Sequence, residues 1–273
     1  MNSVPTEFYE EVFTTSSQQR LANYAGPVSG KFGSVANRCW TKVYQKGILL
    51  IDGKNQDSVF FDSRGNRYTS EEGFCQKYRH LTNLCFTADD QIPPIDKKFV
   101  KKFLSEPGKH SLQLYSTIDN AWIEEFASWK KLAHVELKIL CDDNVLKLLR
   151  KLLDLKQLTE LYLEFSDQDS IDLACDFLKQ DQFRFLSFRE FSKEQLMAIW
   201  QIDSKQLSKK TIWWKGQVHL HGKHFTRVVR SFTDTIDYES SDRIVRYFNP
   251  DGTSEMNKEA FMAGVTKSIV TFL

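Results

Sequence analysis

Apolar residues recur along residues 80–220 in one short pattern, L-x-x-L-x-L, whose last two members are separated by a single residue. The full copies are Leu81/Leu84/Phe86, Leu132/Val135/Leu137, Leu158/Leu161/Leu163 and Phe183/Leu186/Phe188. Leu112/Leu114 and Val218/Leu220 keep only the last two positions. These pairs begin 28, 23, 26, 25 and 32 residues apart, and segments with helical spacing, such as 142–153, lie between them. Each repeat therefore predicts a short strand followed by a helix.

The repeat spacing is similar to that of leucine-rich repeats, which stack strand–helix pairs into a solenoid. Within one strand, alternation turns Leu161 and Leu163 towards the core and Tyr162 towards an open surface. The positions that carry asparagine in standard repeats are Asp89, Leu140, Ser166 and Phe191 here, so the repeats are irregular. We expect an α/β chain with a leucine-rich-like solenoid. The outward strand positions expected to form its contact surface are Cys85, Gln113, Glu136, Tyr162 and Ser187.

The segments on either side of the repeats predict other structures. Residues 1–42 have the spacing of short helices, and residues 43–79 predict a small β-meander with turns at Asp52-Gly53 and Gly65-Asn66. The repeats would then cover residues 80–203. Residues 204–273 predict a C-terminal cap with a β-hairpin, a turn at 249–252 and a closing helix over 259–270.

The N-terminal segment resembles a divergent F-box. From residue 4 it reads Val-Pro-x-Glu-Phe-x-x-Glu-Val, and Leu21, Val28-Ser29 and Phe32-x-x-Val35-Ala36 follow in the family's order and spacing. The family pattern begins with Leu-Pro and ends with Val-Ser or Val-Cys before Trp. Val4 and Phe32 replace that Leu and Trp, and Ser16 stands where a Leu is usual. With its irregular repeats, the chain is similar to the expanded nematode F-box-like proteins.

The resemblance implies a substrate-recognition subunit of a Skp–cullin–F-box ubiquitin ligase. The side chains it assigns to the Skp-type adaptor are Pro5, Phe8, Val12, Leu21, Val28 and Phe32. Such a subunit catalyses nothing itself and holds a target protein near the recruited enzyme. The alternative is a ligase-independent inhibitor, antidote or scaffold whose F-box has lapsed into a helical cap, an alternative that Ser16 and Phe32 favour.

Composition is typical of a folded intracellular protein. The 273 residues are 41% hydrophobic, and the net charge of +1 divides into +2, −4 and +3 over residues 1–80, 81–200 and 201–273. Five cysteines without C-x-x-C spacing favour free thiols in a reducing compartment. No secretory segment and no run of about 18 apolar residues is evident, so we expect a cytoplasmic or nuclear protein without membrane contact.

Residues 204–233 form a basic, aromatic segment with five Lys, two Arg, three His and no acidic residue. Trp213 and Trp214 are consecutive, so they cannot share one face of a strand, and we expect them to contribute to a partner site. An acidic protein partner, a solvated face over an aromatic core and single-stranded nucleic acid are the alternatives, of which nucleic acid is the least favoured.

Catalytic and metal-binding patterns are sparse. The sequence has no G-x-S-x-G, no glycine loop of the phosphate-binding kind and no H-E-x-x-H, so we do not expect an enzyme. His219-x-His221-x-x-His224 has the spacing of metal ligands, but no fourth ligand is near and alternation places the histidines in solvent. We therefore expect neither a metal nor a cofactor.

Overall fold

The computed structural model describes residues 5–15, 30–56, 58–89, 91–189, 193–217 and 226–273, and these have a mixed α/β fold. The helices are α1 Thr6–Thr15, α2 Gly30–Lys42, α3 Lys97–Ser105, α4 Asn120–Ala127, α5 Asp143–Leu155, α6 Gln168–Leu178, α7 Lys193–Trp200, α8 Ser204–Leu207 and α9 Lys258–Ala263. The strands are β1 Tyr44–Ile51, β2 Lys54–Asn55, β3 Val59–Asp62, β4 Arg67–Tyr68, β5 Arg79–Thr87, β6 Lys109–Leu114, β7 Leu132–Leu137, β8 Glu160–Leu163, β9 Phe185–Phe188, β10 Thr211–Lys215, β11 Arg227–Phe232, β12 Thr235–Glu239, β13 Arg243–Phe248 and β14 Lys267–Phe272.

The chain divides into two compact units. Unit 1 comprises Met1–Ser116 and Trp129–Ala133, and unit 2 comprises Thr117–Ser128 and His134–Leu273. Five strands of unit 1 lie in the order β4-β3-β1-β5-β6, and β2 pairs with β1 at its end. The hairpins β1–β3 and β3–β4 are antiparallel, whereas β5 runs parallel to both β1 and β6. The strands expected between residues 43 and 79 are therefore present, and β1 pairs in parallel with β5, which contains the first expected repeat pair, Leu84/Phe86.

Alternation gives the unit 1 sheet two different faces. The covered face contains buried side chains in register on neighbouring strands, including Ile48 beside Leu84 and Leu84 beside Leu112. Helix α3 begins at an Asp96 cap and buries Val100 and Phe103. The opposite, open face carries Gly47, Asn83, Cys85 and Gln113 among others.

The strands of unit 2 lie in the order β7-β8-β9-β10-β14-β13-β12-β11. Strands β7 to β10 are parallel, as expected of strands joined through helices, and the remaining neighbours are antiparallel. On the covered face, one register row is apolar throughout and consists of Val135, Leu161, Leu186, Ile212, Val270 and Val245. Helices α5 and α6 bury their apolar sides, including Leu149 and Ile171, in the same core.

Aspartates fix where three helices of unit 2 begin. Asp119 accepts from Trp122 N at 2.9 Å, Asp142 from Val145 N at 2.8 Å, and Asp167 from Ser170 N at 2.8 Å. Each satisfies an amide that the helix itself leaves without an acceptor, a contribution of about 1 kcal/mol per cap. The prediction that Asp142 and Asp167 are caps is confirmed.

The C-terminal part of the chain differs from the expected closing helix, and the connection before β5 has little helix. Residues 71–78 contain one 3₁₀ turn, at Gln76–Tyr78. The closing helix expected over 259–270 ends at Ala263, and residues from Lys267 form β14 instead. Gly264 ends the helix, and the β-branched sequence that follows pairs on both sides, with β10 and β13.

Candidate functional site

The N-terminal helices of unit 1 present an aromatic residue to solvent. Pro5 is exposed just before α1, and Phe8 in its first turn is 55% exposed. The next residue, Tyr9, contacts Phe32 of α2 edge-to-face, with ring centroids 5.6 Å apart. Phe32 and Tyr9 also pack on a buried cluster that includes Val35. Phe8 is thus available to a partner, whereas Phe32 holds the two helices together.

Ion pairs fix the position of α1. Glu10 accepts from Arg38 Nη2 at 2.6 Å and from Lys77 Nζ at 2.7 Å. The hydrogen bond from Lys77 lowers the pKa of Glu10, and the charges of both cations act in the same direction. The helix is therefore anchored through its polar side, and the side chain of Phe8 remains exposed.

The other expected adaptor residues cannot be placed. Val12 belongs to α1, but its side chain lies outside the described part, and Leu21 and Val28 lie in residues 16–29, which are outside it altogether. Of the six expected adaptor residues, the structure places Pro5 and Phe8 at the start of α1 and Phe32 on α2. The two helices pack against each other through Tyr9 and Phe32.

The open face of unit 2 contains most of the expected partner residues. Strand register aligns Glu136, Tyr162, Ser187 and Trp213 in one row across β7, β8, β9 and β10. The row confirms that these positions share a face. Ser187, however, is only 1% exposed, so it is covered by its neighbours and offers little area to a partner.

Trp213 and Trp214 lie on opposite faces of β10, as alternation requires. Trp213 is half-buried on the open face, and its ring lies 6.3 Å from that of Tyr162. Trp214 is 2% exposed and belongs to the core. The prediction that Trp214 belongs to the partner surface is therefore wrong, because its indole faces the helices and is buried in the apolar core.

Cations lie over the rings of Tyr162 and Trp213 on this face. Lys138 Nζ lies 4.7 Å from the ring centroid of Tyr162, and Lys267 Nζ lies 5.8 Å from that of Trp213. Burial lowers the pKa of Lys267. We call Tyr162, Trp213, Lys138 and Lys267 the aromatic–lysine surface. Such cation–π contacts contribute about 0.5–1 kcal/mol each at exposed sites.

Acidic residues border the aromatic–lysine surface. Lys138 pairs with Glu136 at 2.7 Å and with Glu164 at 3.2 Å, and Arg189 also pairs with Glu164. Tyr162 and Trp213 are expected from the sequence as partner residues, whereas Lys267, 54 positions after Trp213, is not. The signal that could have found it is the pairing of β14 with β10, which no local pattern specifies.

Gln113 lies in unit 1, on β6. Its Oε1 accepts from Cys85 Sγ at 3.0 Å, on the open face of the unit 1 sheet. All five cysteines are free thiols. Burial raises the pKa of Cys141 to about 12 and that of Cys175 to about 11, so neither thiol is a nucleophile near neutral pH.

Metal and membrane sites can be assessed for the described residues. Within those ranges, no group of three or more His, Cys, Asp or Glu side chains could hold a metal ion. His219, His221 and His224 lie outside them. None of the helices in the described part of the chain combines the length and apolarity needed to cross a membrane.

Comparison with known proteins adds no assignment: the chain matches no family model, no curated protein and no solved structure.

Proposed function

We propose that the chain is the substrate-recognition subunit of a Skp–cullin–F-box ubiquitin ligase. The observation that supports this most directly is Phe8, an aromatic side chain 55% exposed on a helix that its neighbours hold in place. Exposed aromatic residues on rigid elements are typical anchors of protein interfaces. The F-box resemblance assigns this position to the adaptor.

The target would bind the strand face of the repeats. In this proposal the strand–helix repeats are irregular leucine-rich repeats, and the aromatic–lysine surface is their contact region. Tyr162 and Trp213 supply apolar area with few rotatable bonds, and Glu136 and Lys138 supply charges that fix the partner's orientation. The protein then acts by holding its target close to the conjugating enzyme.

A ligase-independent binding protein is the second candidate. It is favoured by Phe32, which replaces the family's Trp and packs inside the chain against Tyr9. In that case the helices are a structural cap, and the aromatic–lysine surface alone would carry the function.

Co-purification with the host's Skp adaptor separates the two candidates. We expect the intact chain to bind the adaptor and Phe8→Asp to weaken binding by about tenfold or more, since a charge would replace a central apolar anchor. Leu140→Asp is the matched control, because Leu140 is 66% exposed in unit 2 and should leave adaptor binding unchanged. Equal adaptor binding by the intact chain and Phe8→Asp would contradict the proposed contact, and no binding by either would favour the second candidate.

A further inference from the structure

The open face of the unit 1 sheet contains a hollow of about 760 Å³ that the proposed function does not use. Its walls come from β1, β3, β5 and β6 and from the turn between β3 and β4. We call it the Gly47 hollow. A volume of this size is in the range of specific ligand sites, roughly 300–1,000 Å³.

The hollow exists because one strand position lacks a side chain. Gly47 lies opposite Val59 on β3 and opposite Asn83 on β5. A Cβ at position 47 would lie 3.0 Å from Val59 Cγ2, which is closer than ordinary contact. The larger side chains of Leu49 and Phe61 surround this gap and give it apolar walls.

A polar chain forms the floor of the hollow. Asn83 Nδ2 donates to Cys85 Sγ at 3.5 Å, and that thiol donates to Gln113 Oε1 at 3.0 Å. Asn83 Oδ1 is buried and accepts no hydrogen bond from the described residues. Because a buried acceptor without a donor is destabilising, this oxygen calls for an N–H or O–H from a ligand.

Two arginines form the rim. Arg67 lies opposite Phe61 in β4 and therefore shares its face, and Arg64 belongs to the preceding turn. Both are exposed, and neither forms an ion pair with a carboxylate of the described residues. The carboxylate of Asp62, which also lines the hollow, accepts from Asn66 Nδ2 at 2.8 Å and from the backbone N of Arg64 at 2.9 Å.

The Asn83 oxygen, the apolar walls and the two arginines are spread over a distance that indicates the size of the ligand. Strands β4 and β5 are three strand spacings apart, roughly 14 Å at about 4.8 Å each. An extended chain of about four residues covers that distance at roughly 3.3 Å per residue. A small carboxylate alone reaches only one end.

We propose that the Gly47 hollow binds a short, extended acidic peptide segment of a partner protein. Its carboxylate meets Arg64 and Arg67, an apolar side chain lies against Phe61 and Leu49, and an N–H donates to Asn83 Oδ1. The site does not depend on adaptor binding, because it uses none of the residues of α1 or α2.

Fluorescence anisotropy with two labelled pentapeptide pools tests the proposal on the full-length chain. Both pools contain Leu, Val, Phe and Gly at three positions; one has Asp or Glu at the other two, and the second has Asn or Gln there. We expect the acidic pool to bind at least about tenfold more tightly, since a charged partner strengthens each hydrogen bond to arginine. Arg64→Glu/Arg67→Glu should abolish the difference.

Lys98→Glu/Lys101→Glu is the matched control, with the same change of charge at two exposed positions of α3. It should bind like the unaltered chain, and Asn83→Leu should weaken binding of the acidic pool without lowering the melting temperature. Equal binding of both pools, or retained binding by the arginine double variant, would overturn the proposal. So would displacement of the acidic pool by a mixture of AMP, GMP, CMP and UMP at lower concentration, which would assign the hollow to nucleotides. None of these outcomes bears on adaptor binding.

Discussion

The main ion pairs of unit 1 lie on the covered face of its sheet, whereas the ion pairs of Lys138 in unit 2 lie on the open face of its own sheet. In unit 1, the side chain of Arg79 is 1% exposed and pairs on the covered face with Glu71 and Glu106. Its Nε also donates to Tyr44 Oη at 3.1 Å, and Lys46 pairs with Glu106 at 2.5 Å. In unit 2, the covered face is apolar across its central row, and the ion pairs of Lys138 lie on the open face.

Tyr44 and Glu106 on the covered face of unit 1 lie in a buried environment that shifts their pKa values. Burial, with the hydrogen bond to Glu71, raises the pKa of Tyr44 to about 12. Burial alone would raise the pKa of Glu106, but the hydrogen bonds and charges of Lys46 and Arg79 outweigh it and lower that pKa. Alternation along a strand assigns each residue to one face of the sheet. The packing against that face then decides how much free energy an unpaired charge there would cost.

Removing the buried cation should have the largest effect on stability. We expect Arg79→Leu to lower the free energy of unfolding by about 3–5 kcal/mol, because Glu71 and Glu106 would lose their shared partner inside the protein. Urea unfolding followed by circular dichroism measures the loss. Lys151→Leu is the control, since its pair with Glu124 is largely exposed and is expected to contribute less than about 1 kcal/mol. Similar losses of unfolding free energy in both variants would contradict the distinction between the buried and the exposed ion pair.

The consecutive tryptophans test the two faces of unit 2. Trp214→Ala should cost about 3 kcal/mol or more because it leaves a cavity in the core. Trp213→Ala should cost about 1 kcal/mol, mainly from its contacts with Tyr162 and Lys267. Thermal or urea unfolding of the two variants in parallel gives the comparison, and a larger loss at position 213 would reverse the assignment of the faces.

Acid should destabilise the chain through His80, the second residue of β5. Burial, aided by the charge of Lys109, lowers the pKa of His80 to about 4 from an ordinary 6.5. Because the unfolded chain binds the proton more readily, the stabilisation is complete above pH 6.5 and is lost as the pH falls towards 4. The loss is at most about 1.4 kcal/mol per pH unit.

Unfolding at pH 7.5 and pH 5.5 checks this effect, with His80→Gln as the control. Both pH values lie above the ordinary range of Glu71 and Glu106, so their carboxylates contribute little to the difference. We expect the stability of His80→Gln to change less between the two pH values than that of the unaltered chain. Identical changes would show that another group is responsible.

Local sequence patterns predicted much of the secondary structure. The alternating pairs at 84/86, 112/114, 135/137, 161/163 and 186/188 all lie in strands, and Asp142 and Asp167 cap the helices that follow two of them. These features depend on residues within a few positions of one another, so the chain specifies them directly. The same alternation placed Tyr162 on the outward face and separated Trp213 from Trp214, but only the strand register put Trp213 on the face of Tyr162.

The tertiary structure decided the rest, because it depends on pairings between distant segments. The sequence by itself determined which residues alternate and where helices begin, but only the sheet register brought Lys267 to Trp213 and converted the end of the expected closing helix into β14. Register likewise set Gly47 between Val59 and Asn83, where a missing side chain becomes a hollow. Long-range packing also enclosed Arg79 with its carboxylates, since the energetic cost of burying a charge depends on partners far away in the chain.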